Sequence, residues 1–360
     1  MIHRRLVILG ASICLVAVFV ALPLLVACAK PAPTPAPAPT PATEPEKFEW
    51  RLQTHQSAGA YMFTELIPQW VAEIKEVTGG QLDITPYPAG ALVPNNEIMD
   101  SVRTHVVEMG SSNPSYWSGS IPVAQFNSPP PFSVRNQWEM HATFYNAGLL
   151  DIQRRAYAEH NCYYLSPVCS PGFRVASIEP IESLEDLKGM KIRTIGLTAK
   201  VFEKVGIPTT YIPGQEIYTG LATGLIDGAT WGGAYSQYQL KFYEVAKYFV
   251  SNWLSPGSGE CILVNLEEWN SLPDELKLVL EAFGEVKSAR KMMYYYIGEI
   301  ASLADMVQNQ GVTVTTLPDS DIKILTEASQ ELLSELALED SYNAEAVDCF
   351  KAFMKELGYL

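Results

Sequence analysis

From Phe48 onward the apolar positions recur in two alternating periods. Residues 48–56 (FEWRLQTHQ) alternate as a strand, residues 61–80 carry helical spacing that ends in a glycine pair, and residues 81–88 (QLDITPYP) alternate again. A helix from Asn95 to Arg103 then leads into a strand at residues 106–112 (VVEMGSS), which completes a β-α-β-α-β run. The same order returns further on. Residues 191–195 (KIRTI) read as a strand, 197–206 as a helix, 207–213 as a strand, 214–224 as a helix and 225–231 (LIDGATW) as a strand. Two such runs predict two α/β domains, each a mainly parallel sheet with helices on both faces. From Leu272 to Gln310 the helical period runs on with few breakers, which predicts one long helix spanning both domains. Residues 320–336 and 344–358 predict two further amphipathic helices on the outside.

One segment raises a chemical question. Ser183 and Asp186 make a capping-box pattern, Gly189 stops the short helix, and a strand follows in which Met190 and Ile192 share one face and Lys191 and Arg193 the other. Arg193 therefore ends a strand. In open α/β sheets ligands lie outside the carboxyl ends of the strands, and Trp231 occupies another such end one unit later. Arg174 stands just upstream, and a guanidinium matches a carboxylate in a bidentate way that lysine does not. Spacing alone leaves two readings of Arg193 open: a ligand contact, or a solvated strand end paired with one of many acids.

The ends and the composition narrow the setting. Residues 1–27 carry Arg4 and Arg5, an apolar run and a small-residue ending before Cys28, the form of a lipoprotein signal peptide with Cys28 as the lipidation site; the run is also long enough for an uncleaved membrane anchor. Residues 28–47 form a Pro/Ala/Thr linker that cannot bury a core. The remainder is long enough for two domains. With 25 Lys and Arg against 40 Asp and Glu, the chain has a net charge of −15, which argues against nucleic acid as a partner and against electrostatic adhesion to anionic lipid. An anionic ligand then needs a few cations gathered locally. Outside the signal and Cys28 four cysteines remain, Cys162, Cys169, Cys261 and Cys349. They suit no zinc spacing, and either a small loop closed by Cys162 and Cys169 or buried free thiols fits an oxidising compartment. No GxSxG and no phosphate-binding glycine loop appears, and the five histidines are scattered, so no enzyme is predicted, and no metal or cofactor.

The series SLEDLKGMKIR, PGQEIYTGLATGLIDGATW and KFYEVAKYF, with VTGGQLDITPYPAGAL before it and the long late helix after it, resembles the substrate-binding protein of the tripartite ATP-independent periplasmic (TRAP) transporters. The likeness runs from Phe48 to the C-terminus. It implies a two-lobed binding-protein fold of the Venus-flytrap kind, bridged by a long helix and closing over an organic acid. Lobe I would comprise residues 48–171 with about 259–300, and lobe II residues 172–258 with about 301–360. In the family pattern the arginine of KIR takes the carboxylate, which favours Arg193; Arg174 falls one residue short of the place of a second family arginine. NPSYWSG and ATWGGAYSQY are most similar to the branch that binds 2-oxo and hydroxy acids, and family position adds Trp231, Tyr116 and Trp117 to the expected contacts, with Tyr235 and Trp253 as further aromatic wall. That branch sometimes bridges ligand and protein with a metal held by two carboxylates; here Thr230 and Ser255 stand in their places, so no such metal is expected, although Glu260 lies nearby in sequence as a substitute ligand. The implied role is capture of a small carboxylate and delivery to a TRAP-type permease, from the periplasm or the outer face of the cytoplasmic membrane, tethered by lipid at Cys28. A subunit of an ATP-driven importer, or a carboxylate sensor, would share the architecture.

Overall fold

The computed structural model describes residues 46–360; the signal-like segment, Cys28 and the tract up to Pro45 lie outside the described residues. Alternation sets the first strand: Phe48, Trp50 and Leu52 of β1 (Phe48–Thr54) are buried while Glu49 and Arg51 face water. A π-helical turn at Met62–Leu66 runs into α1 (Ile67–Val77), whose Ile67, Trp70 and Ile74 pack on the apolar side of β1. β2 (Leu82–Tyr87), α2 (Ile98–Arg103) and β3 (Met109–Ser112) follow, and β1 pairs in parallel with both β2 and β3. Two 3-10 turns (Pro114–Trp117 and Pro122–Asn127), α3 (Gln137–Tyr145) and α4 (Leu149–Ala158) lead to the long β4 (Cys162–Phe173).

A single residue, Arg174, separates β4 from β5 (Val175–Ser177), yet β5 belongs to another sheet. That second sheet collects β6 (Ile192–Arg193) after α5 (Leu184–Lys188), β7 (Thr209–Thr210) after α6 (Gly196–Lys204), and β8 (Gly228–Thr230) after α7 (Ile217–Ala222). The expected capping box at Ser183 and Asp186 is formed in full. After α8 (Ala234–Gln239) and β9 (Tyr248–Val250) the chain crosses back into the first sheet as β10 (Ser255–Asn265). α9 (Leu266–Ser271), α10 (Asp274–Gln308), β11 (Thr313–Thr315), α11 (Asp319–Leu336) and α12 (Ser341–Glu356) complete the order. The sheets run β2-β1-β3-β10-β4 and β11-β9-β5-β8-β6-β7.

Each sheet has one strand against the grain, β10 in the first and β5 in the second. Both adjoin a crossing between sheets, where a strand enters its second sheet without the helix that would turn it parallel. The predicted mainly parallel sheets are present with that exception.

α10 is the third link. Near its start it lies against the first sheet, where Trp70 Nε1 donates to the Phe283 carbonyl (2.7 Å) and the Cys169 amide to Ser288 Oγ (3.0 Å). Its later turns pack on α8 through Glu299. α11 packs on α6 of the second sheet, and α12 on α4 and the Pro122–Asn127 turn.

The loop-closing disulfide is not formed: Cys162, Cys169, Cys261 and Cys349 are all free. Cys162 and Cys169 stand in the same extended strand, where seven residues span about 23 Å. Burial raises the Cys162 and Cys169 thiols to about 12, so they behave as small core residues.

Candidate functional site

β6 is only two residues long. Ile192 buries itself completely, and Arg193 ends the strand with 2% of its surface exposed. The guanidinium is anchored by carbonyls: Nε donates to Ile212 O (3.1 Å) and Nη1 to Thr230 O (3.0 Å). Its Cζ lies 5.3 Å from the centre of the Trp231 ring and 5.7 Å from that of Tyr211. Among the described residues no acidic side chain forms an ion pair with it. Burial lowers its pKa to about 10, with the Tyr211 and Tyr116 phenols acting the other way, so the group stays charged at neutral pH. A desolvated cation without a counter-charge is costly unless a ligand supplies one.

The surroundings are fixed by local sequence. Thr230 is fully buried, and its Oγ1 donates to Thr194 Oγ1 (2.9 Å), which leaves its carbonyl aimed at Arg193. The Trp231 ring rests on Gly214, where an added Cβ would come within 2.3 Å of it. From the first sheet, the 3-10 turn that Asn113 caps (Ser115 N to Asn113 Oδ1, 2.9 Å) presents Tyr116, whose pKa is raised by burial and drawn back by the Arg193 charge. Arg193, Thr230, Trp231 and Tyr116 thus meet in one place, joined by Tyr211.

The two lobes touch just beside this group. A Cβ on Gly196 would lie 3.7 Å from Ser115 Oγ, and Lys200 Nζ donates to Gln125 Oε1 (3.1 Å). A residual cavity of 10 Å³ remains between Ser115, Gln125, Ser128, Ile195, Thr198 and Ser255.

Other expected contacts have different neighbours. Trp117 turns into the core, its Nε1 donating to Tyr157 Oη (2.6 Å). Arg174 lies with Cζ 3.6 Å above the Trp253 ring and Nη1 3.9 Å from Glu299 Oε2, while its buried Nε has no hydrogen-bond partner among the described residues. Glu299 caps α8, accepting from the Ala234 and Tyr235 amides (2.8 and 2.9 Å), and burial raises its pKa. Tyr235 Oη lies 2.5 Å from Tyr294 Oη, and the Tyr294 ring stacks on Tyr61 at 3.8 Å. A tyrosine group therefore ties α8 to the first lobe through α10.

A buried ionic cluster was not foreseen as a unit. Glu260 pairs with Lys291, accepts from Gln56 Nε2 (3.0 Å) and has His55 Nε2 at 3.6 Å. Burial pushes its pKa up, but Lys291 and His55 overcome this and hold the carboxyl at about 2. Lys287, one turn before Lys291, is buried with Nζ 4.6 Å from the Trp70 ring centre. The signal was the four-residue spacing of Lys287, Lys291, Tyr295 and Glu299, one face of a helix. Tyr211 carried no such mark.

Residues 53–340 match the family described as bacterial extracellular solute-binding protein, family 7, named DctP. The chain belongs to the DctP family. It is a periplasmic solute-binding protein of the TRAP type and not an enzyme. It is 30% identical over 313 residues to the monocarboxylate 2-oxoacid-binding periplasmic protein of Nostoc sp., covering 86% of this chain and 84% of that one. The 2,3-diketo-L-gulonate-binding periplasmic protein YiaO of Escherichia coli is 26% identical over 281 residues, covering 74% and 80%. A TRAP solute-binding protein of Colwellia psychrerythraea, solved with calcium and pyruvate, superposes with a TM-score of 0.78 at 25% identity, covering 87% of this chain and 95% of that one.

Proposed function

We propose that this DctP-family protein captures a small 2-oxo, 2-hydroxy or sugar acid between its lobes, with Arg193 as the carboxylate clamp. The supporting observation is the Arg193 guanidinium: buried, charged, held by two carbonyls and lacking an acidic partner among the described residues. Tyr116 from the facing lobe and Trp231 and Tyr211 beside it form the wall, and closure excludes water and so strengthens the ion pair. The chain passes between the lobes at Arg174, at residues 251–254 and along α10, and we take these three segments as the hinge. The relatives named for 2-oxoacid and diketogulonate binding favour this ligand class. Release to a TRAP permease, with tethering through lipid at Cys28, completes the reading.

Two solved relatives hold calcium or sodium beside pyruvate. The residues here do not suit such an ion. Thr230 Oγ1 is committed to Thr194 and Ser255 Oγ donates to Gly257 O (2.8 Å), while the Glu260 carboxylate is taken by Lys291 and Gln56. A hard cation needs several oxygen ligands and favours carboxylates, and among the described residues no carboxylate pairs with Arg193 or stands at the Thr230 and Ser255 positions.

Thermal unfolding of residues 46–360 against a panel of such acids, each with calcium and with chelator, tests the reading. An acid at 100 times its Kd stabilises by about 2.7 kcal/mol. The expected result is one acid that raises Tm equally in both conditions and has no effect on Arg193→Ala. Equal stabilisation of Arg193→Ala would refute the clamp, and a shift confined to calcium would refute the metal-free reading.

A further inference from the structure

A cavity of about 360 Å³ opens away from the Arg193 cleft, and neither Arg193, Thr230, Trp231, Tyr116 nor Tyr211 lines it. Several parts of the chain meet there: the loop before α3 with Phe132 and Arg135, the segment crossing between the sheets with Trp253, α11 with Ile322, and α12 and the residues after it with Met354 and Tyr359. Its volume is that of a small-molecule site. Phe132, Trp253, Ile322 and Met354 make one wall of rings, branched carbon and a thioether, which suits a flat aromatic body. Phe132 holds a φ of 62°, a costly conformation for a bulky residue and one that gathers at ligand clamps. The polar edge is cationic. Arg135 Cζ lies 3.8 Å from the centre of the Tyr359 ring, and among the described residues its guanidinium makes neither a hydrogen bond nor an ion pair. Glu139, the acid of this turn, is occupied by the Arg135 amide (2.7 Å) and by Tyr359 Oη (2.8 Å).

We infer that this cavity is a second ligand site, which takes a small aromatic carboxylate with its ring against Phe132, Trp253, Ile322 and Met354 and its anion on the Arg135 fork. The guanidinium is held in place by a ring rather than by an acid, so an arriving carboxylate gains a bidentate partner and displaces none. Trp253 connects the site to the hinge proposed above. Its ring lines the cavity and also lies 3.6 Å from Cζ of Arg174, the single residue between β4 and β5. A ligand packed on Trp253 thus braces two of the three crossings in the present arrangement, in which Lys200 of one lobe bonds Gln125 of the other (3.1 Å). Occupancy should therefore favour the closed form. That consequence rests on the hinge reading; the site itself does not.

Ligand-observed NMR titration of residues 46–360, which form a compact unit with their own cores, tests the site with phenylacetate and with the neutral phenylacetamide. One charged contact and a small apolar ring give an expected Kd of about 0.1–1 mM for phenylacetate. Loss of the charge in phenylacetamide, or of the fork in Arg135→Gln, should each weaken binding by about 10-fold. Thr326→Trp, which fills the cavity from α11, should abolish it, and Arg193→Ala should leave it unchanged. No binding of phenylacetate, binding that disappears in Arg193→Ala, or binding indifferent to both Arg135→Gln and Thr326→Trp would overturn the site. Small-angle scattering of the Arg193→Ala chain, in which the cleft clamp is removed, reads the hinge: phenylacetate should reduce the radius of gyration, and an unchanged radius would overturn the coupling. The acid panel above is read through Arg193 and this titration through Arg135, so failure of one reading is told apart from failure of the other.

Discussion

Lys287→Met should make the protein more stable, although it removes a charged side chain from a well-packed helix. Lys287 is 1% exposed and its Nζ has no hydrogen-bond partner among the described residues; beside it stand the Trp70 ring 4.6 Å away and the more distant charge of Glu260. Burial outweighs the help from Glu260, and with Lys291 adding repulsion the amine falls from 10.5 to about 8. A difference of that size corresponds to roughly 3 kcal/mol of cost for keeping the ammonium in the folded state. Methionine retains the length and most of the packing of the stem. The cation–π contact with Trp70 is lost, which returns about 1–2 kcal/mol, so the net gain at pH 7 is about 1–2 kcal/mol. The sign with pH follows from proton counting. Between pH 8 and 10.5 the unfolded chain keeps a proton on this amine that the folded chain has given up, so the parent gains stability as pH rises through that window. The variant has no such gain, and its advantage should shrink from pH 8 upward. Urea unfolding of both proteins at pH 7, 8, 9 and 10 measures the difference, in which other titrating groups cancel. A variant less stable at pH 7, or an advantage that stays constant from pH 8 to 10, would refute the reasoning.

Two further outcomes are expected. Glu260→Gln leaves Lys291 buried without its partner and should cost about 3–5 kcal/mol; because the folded carboxyl is held at about 2, below its unfolded value, the parent's contribution is present above pH 4.5 and lost as pH falls towards 2, so the variant should show a flatter acid limb when unfolding is followed by circular dichroism. Arg193→Lys keeps the charge but cannot hold the Ile212 and Thr230 carbonyls while meeting a carboxylate side-on, so calorimetry should show affinity for the acid reduced by about 10- to 100-fold; undiminished affinity would mean that a point charge suffices.

The strands and helices of both lobes were readable because each buries one face, and period two or 3.6 then leaves a mark in the chain. β1, α1, the Ser183 cap and the long α10 all follow from such local rules. β4 and β10 carried no usable period. They are buried along nearly their whole length between helices, so no polar face alternates with the apolar one. Arg193 was legible as a strand end. Its burial was not, because the cover comes from Tyr211 and Trp231 on loops and from Tyr116 on the other lobe. Trp117 was expected beside Tyr116 on family position, yet neighbours in a 3-10 turn point apart, and Trp117 became core while Tyr116 lies near the Arg193 charge. The pairing of Arg174 with Glu299 joins residues 125 positions apart, and no local pattern records it.

Four largely buried cations among the described residues differ in their partners, and the difference is what favours Arg193 as the proposed ligand contact. Arg174 has Glu299 and the Trp253 ring; Lys291 has Glu260. Lys287 and Arg193 have no acid within ion-pair distance among the described residues, but their positions differ. Lys287 is enclosed by Trp70 and the first-sheet core, where its pKa can fall to about 8 and give up the charge at modest cost. Arg193 has that escape only above about pH 10, so at neutral pH it must remain an ion. Two carbonyls satisfy part of its hydrogen-bonding capacity but none of its charge. Its ring neighbours at 5.3 and 5.7 Å add a cation–π attraction but no counter-charge, and Tyr116 on the opposite lobe is close enough to feel the guanidinium. An anion entering between Tyr116 and Trp231 therefore gains an unopposed cation on arrival, whereas an anion approaching any of the other three must first displace a carboxylate or unpack an aromatic wall. On the proposed reading, a molecule with net charge −15 would select a small acid at this point because the local field is set by one desolvated guanidinium, while the screened surface charge acts only at longer range.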